Sequence, residues 1–340
     1  MVFGTAVLFA LVGCAPTPEP VVTRTASQPP TPSATPALEP VVEPAPAFDV
    51  TCADVADAVA AVIGEPSTPV LPVMSTVSTM GWIAGPAQYM FQRAGGIACS
   101  AGGSDDFWEI LLFPGAEAVI AGVDARIGVP MSEGGSCSAD GYCGFEITEG
   151  DVHLSALFVD PDLDDSTSAG LDAALRGLVR SAAEDTRDVE IANSDIEGAR
   201  CERFVTIEEL SALLGTEVKQ FAHFGGWGVP AEVYNVVDRA SHCLYTSPGA
   251  GYEVSNYLQI TTLPAGRWAF ERQDGVPVVV EGADEAKASS GELGESFLDV
   301  RVGDDWIRFT TYEGESGARD PLPIATRIVR NLTVGHLAPQ

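Results

Sequence analysis

Apolar residues recur at helical spacing shortly after Phe48, where the globular part of the chain begins. Thr51 is a favoured helix-capping residue type, and one face of the stretch after it is apolar: Val55, Val59, Val62 and Ile63. Gly64 and Pro66 then end the pattern. The sequence predicts a helix here, bounded on both sides.

The same pattern returns in the second half of the chain. Thr206-Ile207-Glu208-Glu209 has the spacing of a capping box, and the residues that follow place leucines on one face: Leu210, Leu213 and Leu214. Gly215 predicts the helix end. The two helices each lie near a cysteine, Cys52 and Cys201.

The likeness continues downstream, which indicates an internal duplication. Gly81-Trp82 precedes Pro86 and Gly226-Trp227 precedes Pro230, and each proline lies thirteen residues before a cysteine, Cys99 or Cys243. Each half then has strand-like segments, a helix-like stretch after Pro114 or Pro264, and a hairpin at Gly150 or Gly303. Amphipathic helices close both halves, marked by Leu171, Leu175 and Leu178 and by Ile324, Ile328 and Leu332.

These elements predict an α+β fold made of two tandem homologous modules, residues 48–188 and 189–340. Each module should be an antiparallel sheet with helices packed on one face. The other face of such a sheet can stay partly exposed to water.

The N-terminus carries a short apolar run, residues 5–12, that is far below the roughly 20 residues of a membrane span. It ends in Leu11-Val12-Gly13-Cys14, which resembles the lipobox of bacterial lipoproteins. This resemblance implies a signal peptide over residues 1–13 and a lipid on Cys14, which would attach the protein to the outer face of the cytoplasmic membrane. Residues 1–4 lack the usual Lys or Arg, so either the true start lies upstream or the match is chance.

Residues 14–47 combine the candidate lipidated cysteine with a proline-rich segment that has no periodic apolar face. We expect a disordered tether, because extended proline-rich chains reach about 3.1 Å per residue, or on the order of 100 Å here. A disordered tail without a mechanical role remains the alternative.

The chain is strongly acidic, with a formal net charge of -30. Nucleic acid and anionic headgroups would repel the folded part, so no nucleic-acid partner is expected. Arg greatly outnumbers Lys, which is typical of GC-rich genomes. The halves also resemble actinobacterial envelope lipoproteins of uncharacterised function, through a helix that starts at a cysteine and Gly95-Gly96-Ile97-Ala98-Cys99. Such a family implies no reaction.

Six cysteines remain once Cys14 is assigned to the lipid, and six cysteines allow 15 pairings. The duplication selects one of them, since each module has one cysteine before its first helix and one on a later strand. The pairs are Cys52–Cys99, Cys201–Cys243 and, in the first module alone, Cys137–Cys143. Disulfides also fit an exported protein.

Several patterns were weighed as chemical sites. The cysteine spacings do not favour zinc, and no metal or cofactor is predicted. The acidic run 160–165 lacks the glycine and the glutamate of a calcium loop, so these carboxylates are expected at a helix N-terminus instead. No catalytic residue is predicted: His153 aligns with Trp306 in the duplication, and His242, beside Cys243, could face solvent.

Two glycine-rich aromatic segments are the candidate ligand-binding sites, and they contain Trp82 in the first module and His223, Phe224 and Trp227 in the second. Aromatic side chains there could stack on sugars or peptides, or could cap the sheets. The sequence predicts a non-enzymatic lipoprotein that binds an envelope protein or a wall-associated ligand. An envelope enzyme and a solute-binding component of a transporter are the alternatives.

Overall fold

The computed structural model describes most of the chain after residue 40: residues 41–79, 84–103, 106–138, 140–221, 228–249, 256–291, 294–314, 317–318 and 320–334. Residues 40–340 form one compact unit. Cys14 and the tether up to residue 40 lie outside the described residues.

The first module contains one five-stranded antiparallel sheet, in the order β1-β2-β5-β4-β3. Its elements are α1 Cys52–Ile63, 3₁₀ turns at Thr76–Ser78 and Pro86–Tyr89, α2 Met90–Arg93, β1 Ile97–Ala101, β2 Phe107–Pro114, α3 Ala116–Ile127, β3 Gly134–Cys137, β4 Tyr142–Glu149, β5 Val152–Val159 and α4 Asp165–Glu184.

The second module contains an antiparallel sheet in the order β6-β7-β8-β12-β11-β10-β9, with the short β13 paired to β12. Its elements are α5 Cys201–Phe204, α6 Ile207–Leu214, β6 Lys219–Phe221, α7 Val229–Glu232, a π-helical turn Val233–Val237, β7 His242–Thr246, β8 Asn256–Leu263, α8 Arg267–Phe270, β9 Val276–Pro277, β10 Glu285–Ser290, β11 Glu295–Val302, β12 Asp305–Gly314, β13 Gly317–Ala318 and α9 Leu322–Val334.

The two sheets share one topology, so the predicted α+β fold is confirmed. The five strands of the first sheet follow the same spatial order as β7, β8, β12, β11 and β10 of the second. The hairpin between β4 and β5 turns at Gly150 with φ +58°, and the hairpin between β11 and β12 turns at Gly303 with φ +61°. Both glycines adopt the left-handed conformation that residues with a Cβ rarely take.

The predicted helix boundaries follow from local capping. The Thr51 side chain accepts a hydrogen bond from the Asp54 amide, and Thr206 does the same for Glu209. In the acidic run, Asp164 is the N-cap of α4 and accepts from the Thr167 amide at 2.8 Å. Asp164 therefore is a helix-start residue as expected for this run, whereas Asp160 accepts from the Asp162 amide in the turn before α4.

The second module departs from the predicted symmetry after Pro264. The helix α3 has 12 residues, whereas the corresponding α8 has only 4, and it is followed by strands that were not predicted. The same Gly-Val-Pro tripeptide follows both helices, at 128–130 and 275–277, so it does not explain why α8 ends earlier. Lys287 Nζ donates to the carbonyl oxygens of Phe270, at 3.2 Å, and Gln273, at 3.0 Å, which gives both groups a partner where the helix stops.

Each sheet buries one face beneath its own helices, as expected, but the opposite face is not left to water. Helix α7 and the π-helical turn of the second module pack on the first sheet. Their residues Val229, Val233 and Tyr234 form one apolar cluster with Phe113. In return, Tyr89 of the first module packs among residues of the second: Leu263, Trp268, Phe270 and Trp306. The expectation of a partly wet face is wrong at these positions, because the two modules exchange apolar contacts there.

Candidate functional site

The aromatic candidates Trp82, His223, Phe224 and Trp227 lie outside the described residues. The structure does describe the residues on which their segments, 80–83 and 222–227, begin and end. The candidate site is therefore built from those anchors.

The chain before segment 80–83 is fixed to the first sheet by Glu109. This side chain is 2% exposed and accepts a hydrogen bond from the Ser75 amide at 2.5 Å. Burial raises the pKa of Glu109 to about 7, against the opposing effect of hydrogen bonds from Ser78 and Ser75. Gln88 adds a second attachment, since its Nε2 donates to the Met74 carbonyl at 2.9 Å.

The same segment ends on the other module. Gly85 has φ +95°, and a Cβ at this position would lie 2.6 Å from Nε of Arg308. Glycine is thus required twice, by its backbone conformation and by the close approach to Arg308. The first aromatic segment is held at one end by its own module and at the other by β12 of the second.

Arg308 is rigidly held beneath Gly85. It donates to both carboxylate oxygens of Asp299 at 2.7 Å, and its guanidinium lies over the rings of Phe297 and Trp306 at 4.7 and 5.5 Å. A bidentate pair between stacked rings restricts the arginine to one geometry. Arg308 therefore gives Gly85, just before the 3₁₀ turn Pro86–Tyr89, a fixed packing surface.

Segment 222–227 is held in the corresponding way. It follows Phe221, which pairs with Leu244 at the sheet edge, and it leads into α7, whose Glu232 packs against α3 of the first module. A side chain at Gly122 would overlap the Glu232 carboxylate, and Arg126 Nε lies 3.3 Å from that carboxylate. The described chain on the two sides of segment 222–227 is thus fixed as well, by β7 of its own module before the segment and by α3 of the first module after it.

A buried ion pair joins the modules between these anchors. Arg93 Nη1 lies 3.3 Å from Asp238 Oδ1, and Arg93 Nε donates to the Pro264 carbonyl at 2.6 Å. Burial raises the pKa of Asp238, and Arg93 opposes that change. Arg93 Nη2 and Asp238 Oδ2 have no hydrogen-bond partner among the described residues.

Two equivalent acid-centred clusters lie on β4–β5 and β11–β12. In the first, His153 Nε2 lies 2.7 Å from Glu146 Oε2 and Ser155 Oγ donates to Glu146 Oε1. In the second, Trp306 Nε1 and Arg308 donate to Asp299. Measured from the hairpin glycines, the members of the two clusters occupy identical positions.

The first cluster resembles a hydrolase triad in composition but not in order. In a working triad the histidine stands between the serine and the acid, so that it can take the serine proton. Here Glu146 stands between Ser155 and His153, and His153 Nδ1 is taken up by Thr148 Oγ1 at 2.9 Å. Ser155 therefore lacks the histidine acceptor for its proton that a triad requires.

His242 is half-buried and makes a side-chain contact with the neighbouring strand. Its Nε2 lies 3.1 Å from Gln259 Nε2, and the other end of that amide accepts from the Tyr312 hydroxyl at 3.0 Å. Burial lowers the pKa of His242 to about 3, so the ring is neutral at physiological pH. His242 belongs to the polar contacts between strands.

The cysteines are joined as Cys52–Cys99, Cys137–Cys143 and Cys201–Cys243, the pairing that the duplication indicates. All three bridges stay within a module. Cys137 and Cys143 stand directly opposite each other on β3 and β4.

Among the described residues, no helix is long and apolar enough to cross a membrane. In that same part of the chain, His, Cys, Asp and Glu side chains form no group of three or more that could hold a metal ion. The sequence matches no protein-family model, no curated protein and no solved structure.

Sequence reasoning missed the charged residues that anchor the aromatic segments, namely Glu109, Arg308, Asp299 and Arg93. A signal was present for two of them. Arg308 lies between Ile307 and Phe309, and Asp299 lies between Leu298 and Val300. A charge between apolar neighbours in a strand indicates either solvent or a buried partner.

Proposed function

We propose that this protein is a membrane-anchored extracytoplasmic lipoprotein that binds an envelope protein or a wall-associated ligand through its two aromatic segments and performs no reaction. One observation carries the binding role: the described residues on both sides of each segment make close contacts, and on one side of each segment that contact is with the other module. Gly85 rests on Arg308, and Glu232 rests against Gly122. Loops on a rigid scaffold are the usual carriers of recognition.

The contacts of the polar groups support a non-enzymatic role. The Glu146, Asp299 and Asp238 carboxylates are each engaged by a neighbouring side chain of the sheets or the module junction. A catalytic acid or base must reach the proton that it transfers. These groups instead stabilise the scaffold that positions the aromatic segments.

The anchoring part of the proposal rests on Leu11-Val12-Gly13-Cys14 and on the proline-rich tether that follows. Mass spectrometry of the membrane fraction should detect an acylated peptide that begins at Cys14. A Cys14→Ser variant should leave the membrane fraction, with Cys137→Ser as a control that keeps the lipidation cysteine. Unchanged membrane retention of Cys14→Ser would contradict lipid anchoring.

The binding part can be tested with the detergent-solubilised full chain and purified cell wall from the same organism. We expect saturable co-sedimentation with the wall, or an in-cell cross-link from position 227 to one envelope protein. Wall fragments released during the incubation would instead support the alternative of an envelope enzyme. Absence of both sedimentation and cross-linking would contradict the binding role.

A further inference from the structure

An open groove of about 520 Å³ lies between α6 and α9 of the second module. Its walls combine apolar and charged side chains: Glu209, Ala212, Leu213, Pro323, Arg327 and Arg330. Leu213, which lines the groove, is 42% exposed. The volume is within the range of small-molecule sites.

The first module has no matching separation between its equivalent helices at this point. Val62 and Leu213 each lie two residues before the glycine that ends the helix, and Gly170 and Pro323 each lie twenty residues after the hairpin glycine. A Cβ at Gly170 would lie only 3.0 Å from Val62 Cγ1, so α1 and α4 are in direct contact there. In the second module both positions carry larger side chains, and a groove separates the helices.

The charged residues of the groove are also particular to the second module. At the positions of Glu209, Arg327 and Arg330 the first module has Ala58, Ala174 and Gly177. These small residues allow close helix packing, whereas the second module has replaced them with one acid and two arginines.

The two arginines have different roles. Arg327 donates to Glu209, which also belongs to the capping box of α6 and accepts from Asn331, so this pair holds one wall in place. Arg330 is 55% exposed, and its guanidinium makes no hydrogen bond to any described residue. Its nearest acid, Glu281 at 3.9 Å, is 81% exposed, so the pair is weak and open to competition.

We propose that this groove binds a small ligand with one carboxylate and an apolar tail. The carboxylate would pair with Arg330, because a guanidinium matches a carboxylate with two parallel hydrogen bonds. The tail would lie on Leu213, Ala212 and Pro323, which lose contact with water when it binds. Because Arg327 is paired with Glu209, Arg330, whose acid partner is distant and exposed, is the arginine of the groove that can take up an anion.

The test uses the full chain and decanoate, below the concentration at which it forms micelles, with binding followed by calorimetry. We expect saturable binding at one site per chain, and much weaker binding of decanol, which has the same tail without the charge. Arg330→Gln should weaken decanoate binding at least about tenfold, since it removes a charge-assisted pair. Arg330→Lys should retain part of the affinity, and Leu213→Trp, which fills the groove, should abolish it.

Arg180→Gln is the matched control, since Arg180 is an exposed arginine on α4, the equivalent helix of the first module. Thermal melting of each variant separates loss of binding from loss of fold, and the exposure of Arg330 makes unfolding an unexpected result. The proposal is overturned if decanoate shows no saturable binding, or if Arg330→Gln and Arg180→Gln bind it equally well. Equal affinity for decanol and decanoate would also overturn it.

Discussion

Arg93 of the first module and Asp238 of the second form an ion pair in the junction between the modules. Nη1 and Oδ1 are 3.3 Å apart, and the side chains are 2% and 0% exposed. The chain between the two residues contains the rest of the first module and the start of the second. This pair therefore requires both modules to be folded and docked.

Replacement of Arg93 by Leu should destabilise the whole fold, because the Asp238 carboxylate would remain buried without its cation. We expect a loss of about 3–5 kcal/mol in the free energy of unfolding by urea. Arg200→Gln serves as the control: Arg200 is 86% exposed beside Glu202, and its loss should cost less than about 0.5 kcal/mol. If the two variants lose similar amounts of unfolding free energy, the ion pair at the module junction contributes no more to stability than an exposed pair.

A pair of glycine substitutions tests the close contact between Gly85, next to the first aromatic segment, and Arg308. Gly64 and Gly85 both have positive φ, +86° and +95°, but a Cβ on Gly64 would meet no atom within 4 Å. Gly64→Ala should therefore cost about 1–3 kcal/mol for the backbone alone. Gly85→Ala should cost about 1–3 kcal/mol more, because it also displaces Arg308 from Asp299. Equal costs would show that the contact with Arg308 is loose.

Glu109 makes stability depend on pH. Its pKa is about 7 in the folded chain and near 4.5 when the chain unfolds. The folded state thus holds the proton more tightly, so this contribution is complete below about pH 4.5 and is lost as pH rises through about 7. From about pH 5 to pH 8, the free energy of unfolding of the unchanged protein should fall by up to about 3 kcal/mol because of this group. The Glu109→Gln variant should not show this fall.

The exposed Glu117 supplies the control for that experiment. A Glu117→Gln variant should keep the fall in unfolding free energy over the same pH range. If the fall persists in Glu109→Gln as well, another group is responsible for it.

The three disulfides should contribute unequally. Cys201–Cys243 spans 42 residues and Cys137–Cys143 only 6. In the chain-entropy model, removal of both cysteines of a bridge should cost about 4 kcal/mol for the long loop and about 2 kcal/mol for the short one. Thermal melting of the two double Cys→Ala variants measures the order. Peptide mapping without reduction should find each bridge within one module, and a bridge between modules would contradict the duplicated architecture.

The local parts of the fold could be predicted from the sequence because their signals are local. Thr51 and Thr206 cap helices, and Gly150 and Gly303 form the hairpins, through contacts within a few residues. The duplication added the cysteine pairing. The duplication did not reveal every shared backbone conformation. Gly115 and Ala265 both adopt a positive φ, +74° and +52°, although only the first is a glycine.

The docking of the modules could not be predicted in the same way. Tyr89 and Tyr234 lie in short helices whose apolar residues show no long periodic pattern, and each packs on the module to which it does not belong. A strand whose outer face is covered by a distant segment can show the same alternation of apolar and polar residues as a strand whose outer face is in water. The anchors Arg308 and Glu109 were missed for this reason.

The contribution of Trp227 separates the two interpretations of the aromatic segments. Gly225, Gly226 and Gly228 flank Trp227 in the sequence and would let a ligand approach the backbone. His223, Phe224 and Trp227 should therefore contribute more to binding than Trp82. The alternative is that Trp227 caps the sheet, in which case truncation should cost about 3–5 kcal/mol.

The most direct measurement is the melting temperature and the wall or partner binding of Trp227→Ala, taken together on one preparation and compared with Trp82→Ala. We predict that Trp227→Ala keeps its melting temperature and loses most of its binding, while Trp82→Ala loses less. The opposite result would contradict the proposed binding segment: a lowered melting temperature for Trp227→Ala, with binding reduced only by the fraction of protein that is unfolded.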